Sequence, residues 1–550
     1  MLKRLKSVSM MLFLMGASTG AAYAVSNPGI TDVKIAQQDG ACTGIVKDAT
    51  GETVIGASVV VKGTTNGTIT GIDGDFSLSN VKKGDVIVIS FVGYISQEIV
   101  WDGKPVNVTL KDDTQTLDEV VVVGYGTQKK VNVTGAVGMV DSKVIAARPV
   151  QNVSQALQGV IPGLNLTVGN SGGSLDGEMN INIRGTGTIG DGSGSSPLVL
   201  IDGIEGNLNT VNPNDIESVS VLKDAASASI YGARASFGVI LVTTKSGKSG
   251  KTNVNYSGNV RFNDAIGIPE LMDSYTFAQY FNRASSNRGG GDIFSPAVME
   301  RIKAYQEGTL TATTVDNGSG IWQKWANANG NTDWFGEFYD NWVPSQEHNL
   351  SISGGTEKLQ YVLSGSFLDQ KGLLRHGTDK FQRYTLNSKI TANITDWLKV
   401  TLNSKWTRED FQRPTYLTSS FFHNLARKWP VHPAYDPNGF PMDEGEIEQM
   451  ENGGEQNSQK DYYTNQLHVV IEPIKNWRIN LEGSVRTTTQ YQHWEVLPVH
   501  AYDVNGDPYY TVWDMGYGSY SAGSSRVDEY SWKENYYTTN IYSDYFKQFD

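Results

Sequence analysis

The alternation of apolar and polar side chains after residue 250 limits the fold of this chain more than any other feature. Apolar side chains alternate with polar ones on either side of Thr395-Asp396-Trp397; they are Tyr384, Leu386, Ile390, Ala392 and Ile394 before it and Leu398, Val400, Leu402 and Trp406 after it. A period of two predicts strands with one apolar face, and a short break predicts a tight turn between them. The sequence therefore predicts consecutive antiparallel hairpins. Two other pairs of segments repeat the pattern: 350–353 with 361–367, and 467–471 with 477–485.

The connections between these predicted strands differ strongly in length. Those within the hairpins are a few residues long, whereas those on the opposite side cover roughly 265–345, 411–464 and 495–535. Short turns at one end and long loops at the other are typical of a transmembrane β-barrel, with Trp397 and Trp477 expected in the aromatic girdle at the short-turn end. A secreted β-sandwich enzyme would also bury one face of each strand, so the alternation alone leaves both folds open.

Composition narrows the classes of function. The mean hydropathy of −0.33 is compatible with a barrel, because its strands turn only alternate side chains to lipid. No stretch reaches the roughly 18 apolar residues that a spanning helix needs. A net charge of −13 with scattered basic residues provides no positive surface for phosphates, which argues against nucleic acid as a partner.

The first residues resemble an export signal. Lys3, Arg4 and Lys6 precede an apolar stretch, and Ala22-Tyr23-Ala24 fits a cleavage site, so we expect a signal peptide at 1–24. The single cysteine, Cys42, excludes an intramolecular disulfide framework. A lipoprotein cysteine is the alternative, but the polar residues before Cys42 favour an ordinary thiol.

Short β segments separated by glycine-rich turns occupy residues 43–111, and Asp73-Gly74 predicts a hairpin between two of them. The segment predicts a small β-sandwich and resembles the carboxypeptidase-regulatory-like domain. The resemblance implies no peptidase, since none of the seven histidines lies in an H-E-x-x-H motif. We therefore expect no catalytic residues, no metal site and no cofactor.

Residues 117–130 read L-D-E-V-V-V-V-G-Y-G-T-Q-K-K, an extended segment able to pair with another chain by strand addition. This segment resembles the linker that includes or adjoins the TonB box in SusC-like TonB-dependent transporters. The resemblance implies contact with the periplasmic TonB complex. The implied coupling residues are Asp118, Glu119, Val120, Val121, Val122, Val123, Gly124 and Tyr125.

Residues 131–247 contain the motifs of a TonB-dependent plug domain in order: I-R-G, P-L-V-L-I-D-G, D-I-E-S-V-x-V-L-K-D-A and Y-G-x-R-A-x-x-G-V-I-L-V-T-T-K. G-x-G-x-x-G at 185–190 fits a loop better than a dinucleotide site, because glycines and not a helix follow it. Asp202, Lys223, Asp224 and Arg234 are interpreted either as a structural charge network or as a path for force through the plug. The plug-motif residues are Arg184, Gly185, Asp202, Gly203, Lys223, Asp224, Tyr231, Gly232 and Arg234.

The expected fold is mainly β: a small β-sandwich, an α+β plug, and at 251–550 the first part of a large antiparallel transmembrane barrel. A plugged barrel of this type has about 22 strands. About eight fit after residue 250, so we expect a truncated chain in which the barrel is incomplete.

The resemblance implies TonB-dependent import of a nutrient across the bacterial outer membrane, not enzymatic activity. SusC-like relatives import oligosaccharides, and sometimes peptides, together with a SusD-like lipoprotein; a non-transporting receptor or adhesin is the alternative. Tryptophans of the long loops could stack on sugars, although packing within the loops is the commoner role of such residues. The weak ligand-binding candidates are Trp322, Trp325, Trp334, Trp342, Trp429 and Trp513.

Overall fold

The computed structural model forms two compact units, 1–119 and 120–550. The expected signal peptide at 1–24, the glycine-rich loop at 186–190 and four coupling residues, Asp118, Glu119, Gly124 and Tyr125, lie outside the described residues. The described residues are 40–49, 51–91, 94–111, 120–123, 126–129, 136–148, 150–168, 174–175, 177–185, 196–511, 513–514, 519–520 and 523–547.

The first unit is a β-sandwich of two sheets with strand orders β4-β1-β7 and β3-β2-β5-β6, in which only β1 and β7 pair in parallel. Alternate side chains of both sheets fill its core, and Cys42 is fully buried there, as expected for an ordinary thiol. Its strands are β1 (Gly40–Lys47), β2 (Ser58–Val61), β3 (Gly67–Ile69), β4 (Asp75–Val81), β5 (Val86–Ser90), β6 (Gln97–Val100) and β7 (Val106–Thr109).

The hairpin predicted at Asp73-Gly74 is wrong. The strands on either side of this turn belong to different sheets, because β3 pairs with β2 and β4 pairs with β1. Gly74 has a φ of +70°, and a Cβ there would lie 2.5 Å from the Val46 carbonyl oxygen, so the turn requires glycine. The dipeptide moves the chain between the two layers of the sandwich.

The second unit begins with a two-stranded hairpin and a plug of α+β structure. The plug is built on a five-stranded sheet of order β10-β15-β16-β13-β14, with β11 and β12 forming a separate pair. Short 3-10 turns occupy Leu208–Thr210, Pro213–Asp215 and Ser229–Ala235. Its elements are β8 (Val120–Val123), β9 (Gly126–Lys129), β10 (Val137–Asp141), α1 (Ser142–Ala146), α2 (Val153–Leu157), β11 (Leu164–Val168), β12 (Met179–Ile183), β13 (Leu198–Ile201), β14 (Ile204–Glu205), β15 (Ile216–Leu222), α3 (Ala225–Ala228) and β16 (Val239–Thr244).

The rest of the second unit contains an eight-stranded antiparallel sheet of order β17-β18-β19-β20-β21-β22-β23-β28. Long connections at one end of the sheet contain helices and two small hairpins. The elements are β17 (Gly250–Asn263), α4 (Ser274–Asn287), α5 (Pro296–Gln306), the 3-10 turn Trp325–Asn327, α6 (Trp334–Phe338), β18 (Val343–Gly355), β19 (Leu359–Lys371), β20 (Lys380–Thr395), β21 (Leu398–Pro414), α7 (Ser419–Leu425), α8 (Ile447–Asn452), β22 (Glu455–Ile474), β23 (Trp477–Val496), β24 (His500–Tyr502), β25 (Pro508–Tyr510), β26 (Trp513–Asp514), β27 (Ser519–Tyr520) and β28 (Arg526–Tyr545).

The two faces of this sheet differ in chemistry, as the alternation predicts. Leu386 and Leu467 are about half exposed on the outer face, whereas their neighbours Asn387 and Gln466 are only 9% exposed on the inner face. The strands reach further toward the long loops than predicted, since β22 begins at Glu455 and not near 464. That stretch is polar on both faces, so apolar alternation could not detect it. None of the described helices is long and apolar enough to cross a membrane.

Candidate functional site

The turn between β13 and β14 points a carboxylate at the inner face of the eight-stranded sheet, called the wall below. Asp202 and Gly203 form this two-residue turn, with φ values of +50° and +86°. Positive φ at both central residues defines a type I′ hairpin turn, for which Asp-Gly is a favoured sequence. The local conformation therefore explains the I-D-G motif, and it leaves the Asp202 side chain free to contact the wall.

Asp202 is paired with two lysines from neighbouring wall strands. Its carboxylate forms ion pairs with Lys405 on β21 and, at 3.5 Å, with Lys389 on β20. Asn403 Nδ2 donates to the same carboxylate at 3.1 Å, and Thr244 donates to it from its backbone N–H (2.9 Å) and its hydroxyl (2.7 Å). The carboxylate is thus surrounded by donors from both the plug and the wall. We call these five residues the Asp202 cluster.

The electrostatics of the Asp202 cluster favour the ionised carboxylate. Burial by itself would raise the pKa of Asp202, but the charges of Lys405 and Lys389 and the donated hydrogen bonds outweigh it and hold that pKa well below its ordinary value. The side chain is only 8% exposed. Removing either partner from such a buried pair leaves an uncompensated charge, which typically costs about 3–5 kcal/mol.

Further wall side chains donate to carbonyl oxygens of the plug. Arg383 on β20 donates to the Asn209 oxygen at 2.7 Å and to the Gln151 oxygen at 2.6 Å. Arg486 on β23 donates to the Glu205 oxygen, and Gln466 on β22 donates to the Asp202 oxygen at 3.0 Å. Three of these backbone acceptors lie at 202–209, around β14, and the fourth precedes α2, so several wall strands hold the plug.

The charged plug-motif residues do not form one network. Asp202 contacts the wall, whereas Lys223 donates to the Pro162 carbonyl oxygen at 2.8 Å within the plug. Asp224 caps α3 by accepting from the Ser227 N–H at 2.7 Å and also accepts from the Ala136 N–H. Arg234 forms an ion pair with Glu205 at 3.2 Å. Asp202 follows β13, whereas Lys223 and Asp224 follow β15, which runs in the opposite direction in the plug sheet. These residues therefore lie at opposite ends of the sheet, which the linear sequence does not reveal.

The remaining plug-motif residues have conformational roles. Arg184 has a φ of +60°, and its N–H donates to the Gly163 oxygen at 2.7 Å; Gly185 follows with a φ of +97°. Gly232 interrupts its 3-10 turn with a φ of +65°, and Tyr231 is buried in the plug core. These positions shape turns of the plug and do not contact the wall lysines.

The coupling segment is extended in its described part. Val120–Val123 pairs with Gly126–Lys129 as the antiparallel hairpin β8-β9. The extended conformation agrees with the expectation of a strand, while the coupling role of its residues stays a prediction.

Comparison with known proteins identifies both domain types. The TonB-dependent Receptor Plug Domain matches residues 129–239, and the CarboxypepD_reg-like domain matches residues 42–122. The TonB-dependent receptor SusC of Bacteroides thetaiotaomicron is 37% identical over 66% of this chain and 33% of its own length. TonB-dependent receptor P39 of Formosa agariphila is 33% identical over 70% of this chain and 34% of its own.

The chain belongs to the SusC-like TonB-dependent receptors.

Solved structures agree with the fold of this receptor. The RagAB peptide importer in its open-open state superposes with a TM-score of 0.60 at 24% identity, over 78% of this chain and 47% of that chain. The superposition and the domain matches confirm the mainly β fold. SusC-like receptors are outer-membrane proteins, which confirms the expected location. The receptor chain spans about a third of the length of the curated relatives that it matches.

The long loops of the receptor fold together around a buried histidine. His432 is fully buried, stacks on Trp325 at 4.5 Å between ring centroids and lies 6.0 Å from Trp334. Its Nδ1 accepts from the backbone N–H of Trp325 at 3.4 Å, and its Nε2 lies 3.0 Å from the backbone carbonyl oxygen of Asp443. These contacts suit a neutral ring with the proton on Nε2. Burial and the charge of Lys428 lower the pKa of His432 to about 3.

A buried ion pair lies beside this histidine. Lys428 and Glu446 are 2.9 Å apart, with side chains 3% and 6% exposed. Glu446 also accepts from the Tyr416 hydroxyl at 2.9 Å, and the Lys428 ammonium lies 4.9 Å from the centre of the Trp334 ring. These contacts join the loop before β18 to the loop before β22. We call the residues that make them the loop core; they are Trp325, Trp334, Tyr416, Lys428, His432 and Glu446.

The loop core changes the interpretation of the tryptophan candidates. Trp334 is fully buried and donates its indole N–H to the Trp429 oxygen at 3.0 Å, so it presents no face to a ligand. Trp429 packs among Phe277, Phe281 and Phe294. Trp322 and Trp325 are half-buried. The indole N–H of Trp325 donates to the carboxylate of Glu444.

Trp342 remains the exposed candidate among those with described side chains, at 69% exposure. The side chain of Trp513 lies outside the described residues. Packing within the loops therefore accounts for most of the candidates, and ligand stacking stays a prediction for Trp342. The described residues contain no cluster of three or more His, Cys, Asp or Glu side chains able to hold a metal ion.

Proposed function

We propose that this receptor takes part in TonB-dependent active import of a nutrient, in the first place an oligosaccharide, across the bacterial outer membrane. The observation that best supports the proposal is the way in which the plug is attached. Ion pairs and hydrogen bonds from several wall strands hold it, and an extended segment precedes it in the chain.

Contacts of this kind suit a plug that has to move. Charged and polar groups released from each other can be solvated by water, whereas separated apolar surfaces cannot. A force on the coupling segment would therefore separate donors and acceptors one after another. We infer that substrate binding on the outer side exposes Asp118–Tyr125 to the TonB complex, which then displaces the plug using energy from the inner membrane.

No bond of the cargo is broken in this mechanism, so the proposed role is transport and not catalysis. A SusD-like lipoprotein is the proposed partner on the outer face, with the loop that contains α4 and α5 as its candidate contact. Purification of the receptor from its own membrane tests this pairing. A tightly bound lipoprotein is the expected result, and a receptor that purifies alone would refute it.

Deletion of the coupling segment tests energised transport. Removing residues 118–130 from the complete receptor should abolish uptake but leave ligand binding to the cell surface within about twofold of its original level. As a control, the exposed turn residues 82–84 of the first unit are replaced with glycine and serine. Uptake that survives the deletion would refute energised import and favour the alternative of a non-transporting receptor or adhesin.

Peptide import by the same machinery is the second candidate function. The likeness to the RagAB peptide importer favours it, while resemblance to SusC-like oligosaccharide transporters favours glycans. Isothermal titration of the receptor against matched panels of oligosaccharides and peptides separates the two. Binding confined to the oligosaccharides is the expected result, and binding confined to peptides would replace the first cargo by the second.

A further inference from the structure

A cavity lies between the plug and the wall. Its volume is about 210 Å³, enough for about seven water molecules or one sugar ring with its hydroxyl groups. Plug residues 204–212 form one side of it, and wall residues of β20 to β23 and β28 form the other. The cavity therefore separates the plug from the wall close to the Asp202 cluster.

Four of the six charged side chains that line this cavity are in ion pairs. Lys405 is paired with Asp202, Arg486 with Glu534 at 3.4 Å, and Glu205 with Arg234. The other two are Asp215, whose pKa is raised by burial despite the nearby charge of Lys245, and Lys460, whose charge acts on Glu409. A charged ligand would have to displace one of these partners, whereas a neutral ligand would not. Charge compensation thus favours an uncharged occupant.

The neutral groups of the lining are those that bind hydroxyl-rich molecules. Asn387 is 9% exposed, and within the described part of the chain its Oδ1 accepts no hydrogen bond. Threonine hydroxyls at 464 and 488 line the same space. A buried amide oxygen without a donor is costly. The oxygen is closed to solvent in this structure, so a ligand hydroxyl would become its donor only once the plug has moved.

Two aromatic side chains complete the lining. Trp532 on β28 donates its indole N–H to Gln490 Oε1 at 2.8 Å, which fixes the orientation of the ring. Tyr462 lines the same cavity from β22, which is separated from β28 by β23. Aromatic rings next to amide and hydroxyl groups suit the apolar faces and the hydroxyl edges of a sugar ring.

We propose that this cavity is a transit subsite for a neutral, polyhydroxylated unit of the cargo, occupied as the plug moves away from the wall. The inference rests on the proposed import function. It makes that function more specific, because a sugar unit in transit would occupy the space between β14 of the plug and the wall. Plug segment 204–212 would move, and the wall residues Asn387 and Trp532 would contact the passing ligand.

The test uses the complete receptor in energised cells and a panel of defined neutral gluco-, manno- and xylo-oligosaccharides, with acidic and basic peptides of similar mass beside them. If the unaltered receptor takes up neither class, the proposed import function itself fails. If it takes up only peptides, import stands and the sugar subsite is refuted. The oligosaccharide that is taken up fastest then serves as the probe.

Two substitutions examine the subsite, each with a matched control in the same sheet. Trp532→Ala and Asn387→Leu should each lower probe uptake at least tenfold while surface binding in cells lacking TonB stays within twofold. The controls are Trp477→Ala, on the outer face, and Asn393→Leu, nearer the short turn of β20; both should keep uptake within twofold.

Trp532→Tyr preserves an aromatic ring and should retain at least a third of the uptake. If Trp532→Ala fails to reach the membrane, Asn387→Leu decides the test, and its uptake within twofold of the unaltered receptor then overturns the proposal. Uptake within twofold of the unaltered receptor in both Trp532→Ala and Asn387→Leu would overturn the proposal and leave water as the occupant of the cavity.

Discussion

The plug–wall contact and the loop core differ in the balance of polar and aromatic contacts. The plug is held by ions, amides and backbone carbonyls, with Asp202 between Lys389 and Lys405. The loop core is held mainly by buried aromatic rings around a neutral histidine, with Trp334 fully buried and the single ion pair Lys428–Glu446 beside it. Water can replace the first kind of contact but not the second. The difference fits the proposal that the plug is displaced while the loops keep their shape.

The largest expected effect comes from removing the central ring of the loop core. Trp334→Ala should destabilise the loops by about 4 kcal/mol, because it creates a large cavity and leaves the Trp429 carbonyl without its donor. Hydrogen exchange of residues 415–454 measures the effect. Trp342→Ala, at an exposed site, should change it by less than about 0.5 kcal/mol. Equal effects of the two substitutions would contradict the proposed packing.

The Asp202 cluster should be the next most sensitive site. Asp202→Ala leaves Lys389 and Lys405 buried without their carboxylate, which should weaken attachment of the plug by about 3 kcal/mol. Limited proteolysis of the plug in the purified receptor measures the change. Asp396→Ala, in an exposed short turn, is the control, and equal protection of the plug in both variants would contradict the role of Asp202.

Acid should distinguish the two regions. The folded pKa of His432 is lowered to about 3 from an ordinary value of about 6.5, so the unfolded state binds a proton more readily between these values. The loop core should therefore lose stability as the pH falls below about 6.5, by roughly 2 kcal/mol at pH 5. His432→Gln should remove this dependence, measured by hydrogen exchange of the loops.

The Asp202 contribution has the opposite relation to pH. Its folded pKa is lowered, so its stabilising effect is fully present above the unfolded value of about 3.9 and is lost only as the pH falls further through the folded pKa. Between pH 8 and pH 5, plug protection should stay constant while the loop core weakens. Loss of plug protection at pH 5 would contradict this assignment.

The smallest effect is expected at the cap of α3. Asp224→Ala removes the acceptor for the Ser227 N–H and should cost about 1 kcal/mol within the plug. Faster hydrogen exchange at Ser227 and Ala136, with the wall contacts unchanged, is the expected observation. Faster exchange at the wall contacts would mean that Asp224 and Asp202 are coupled after all.

The sequence predicts what depends on local pattern. Alternation located β20 and β21 on either side of Trp397, and motif order located the plug strands. It could not predict the partners of Asp202, because Lys389 and Lys405 are far away in sequence and any inward-facing lysine fits the pattern equally well. Nor could it separate buried from exposed loop tryptophans, because the loop core depends on contacts between two long connections.

A double-mutant cycle between Asp202 and Lys405 tests most directly whether the plug is held by a releasable charged contact. Single-molecule pulling on the coupling segment of the complete receptor would compare Asp202→Asn, Lys405→Met and the double variant with the unaltered chain. We predict that each single variant lowers the force needed to extract the plug and that the second substitution adds little to the first. Equal extraction forces in all four proteins, or fully additive losses, would contradict the account.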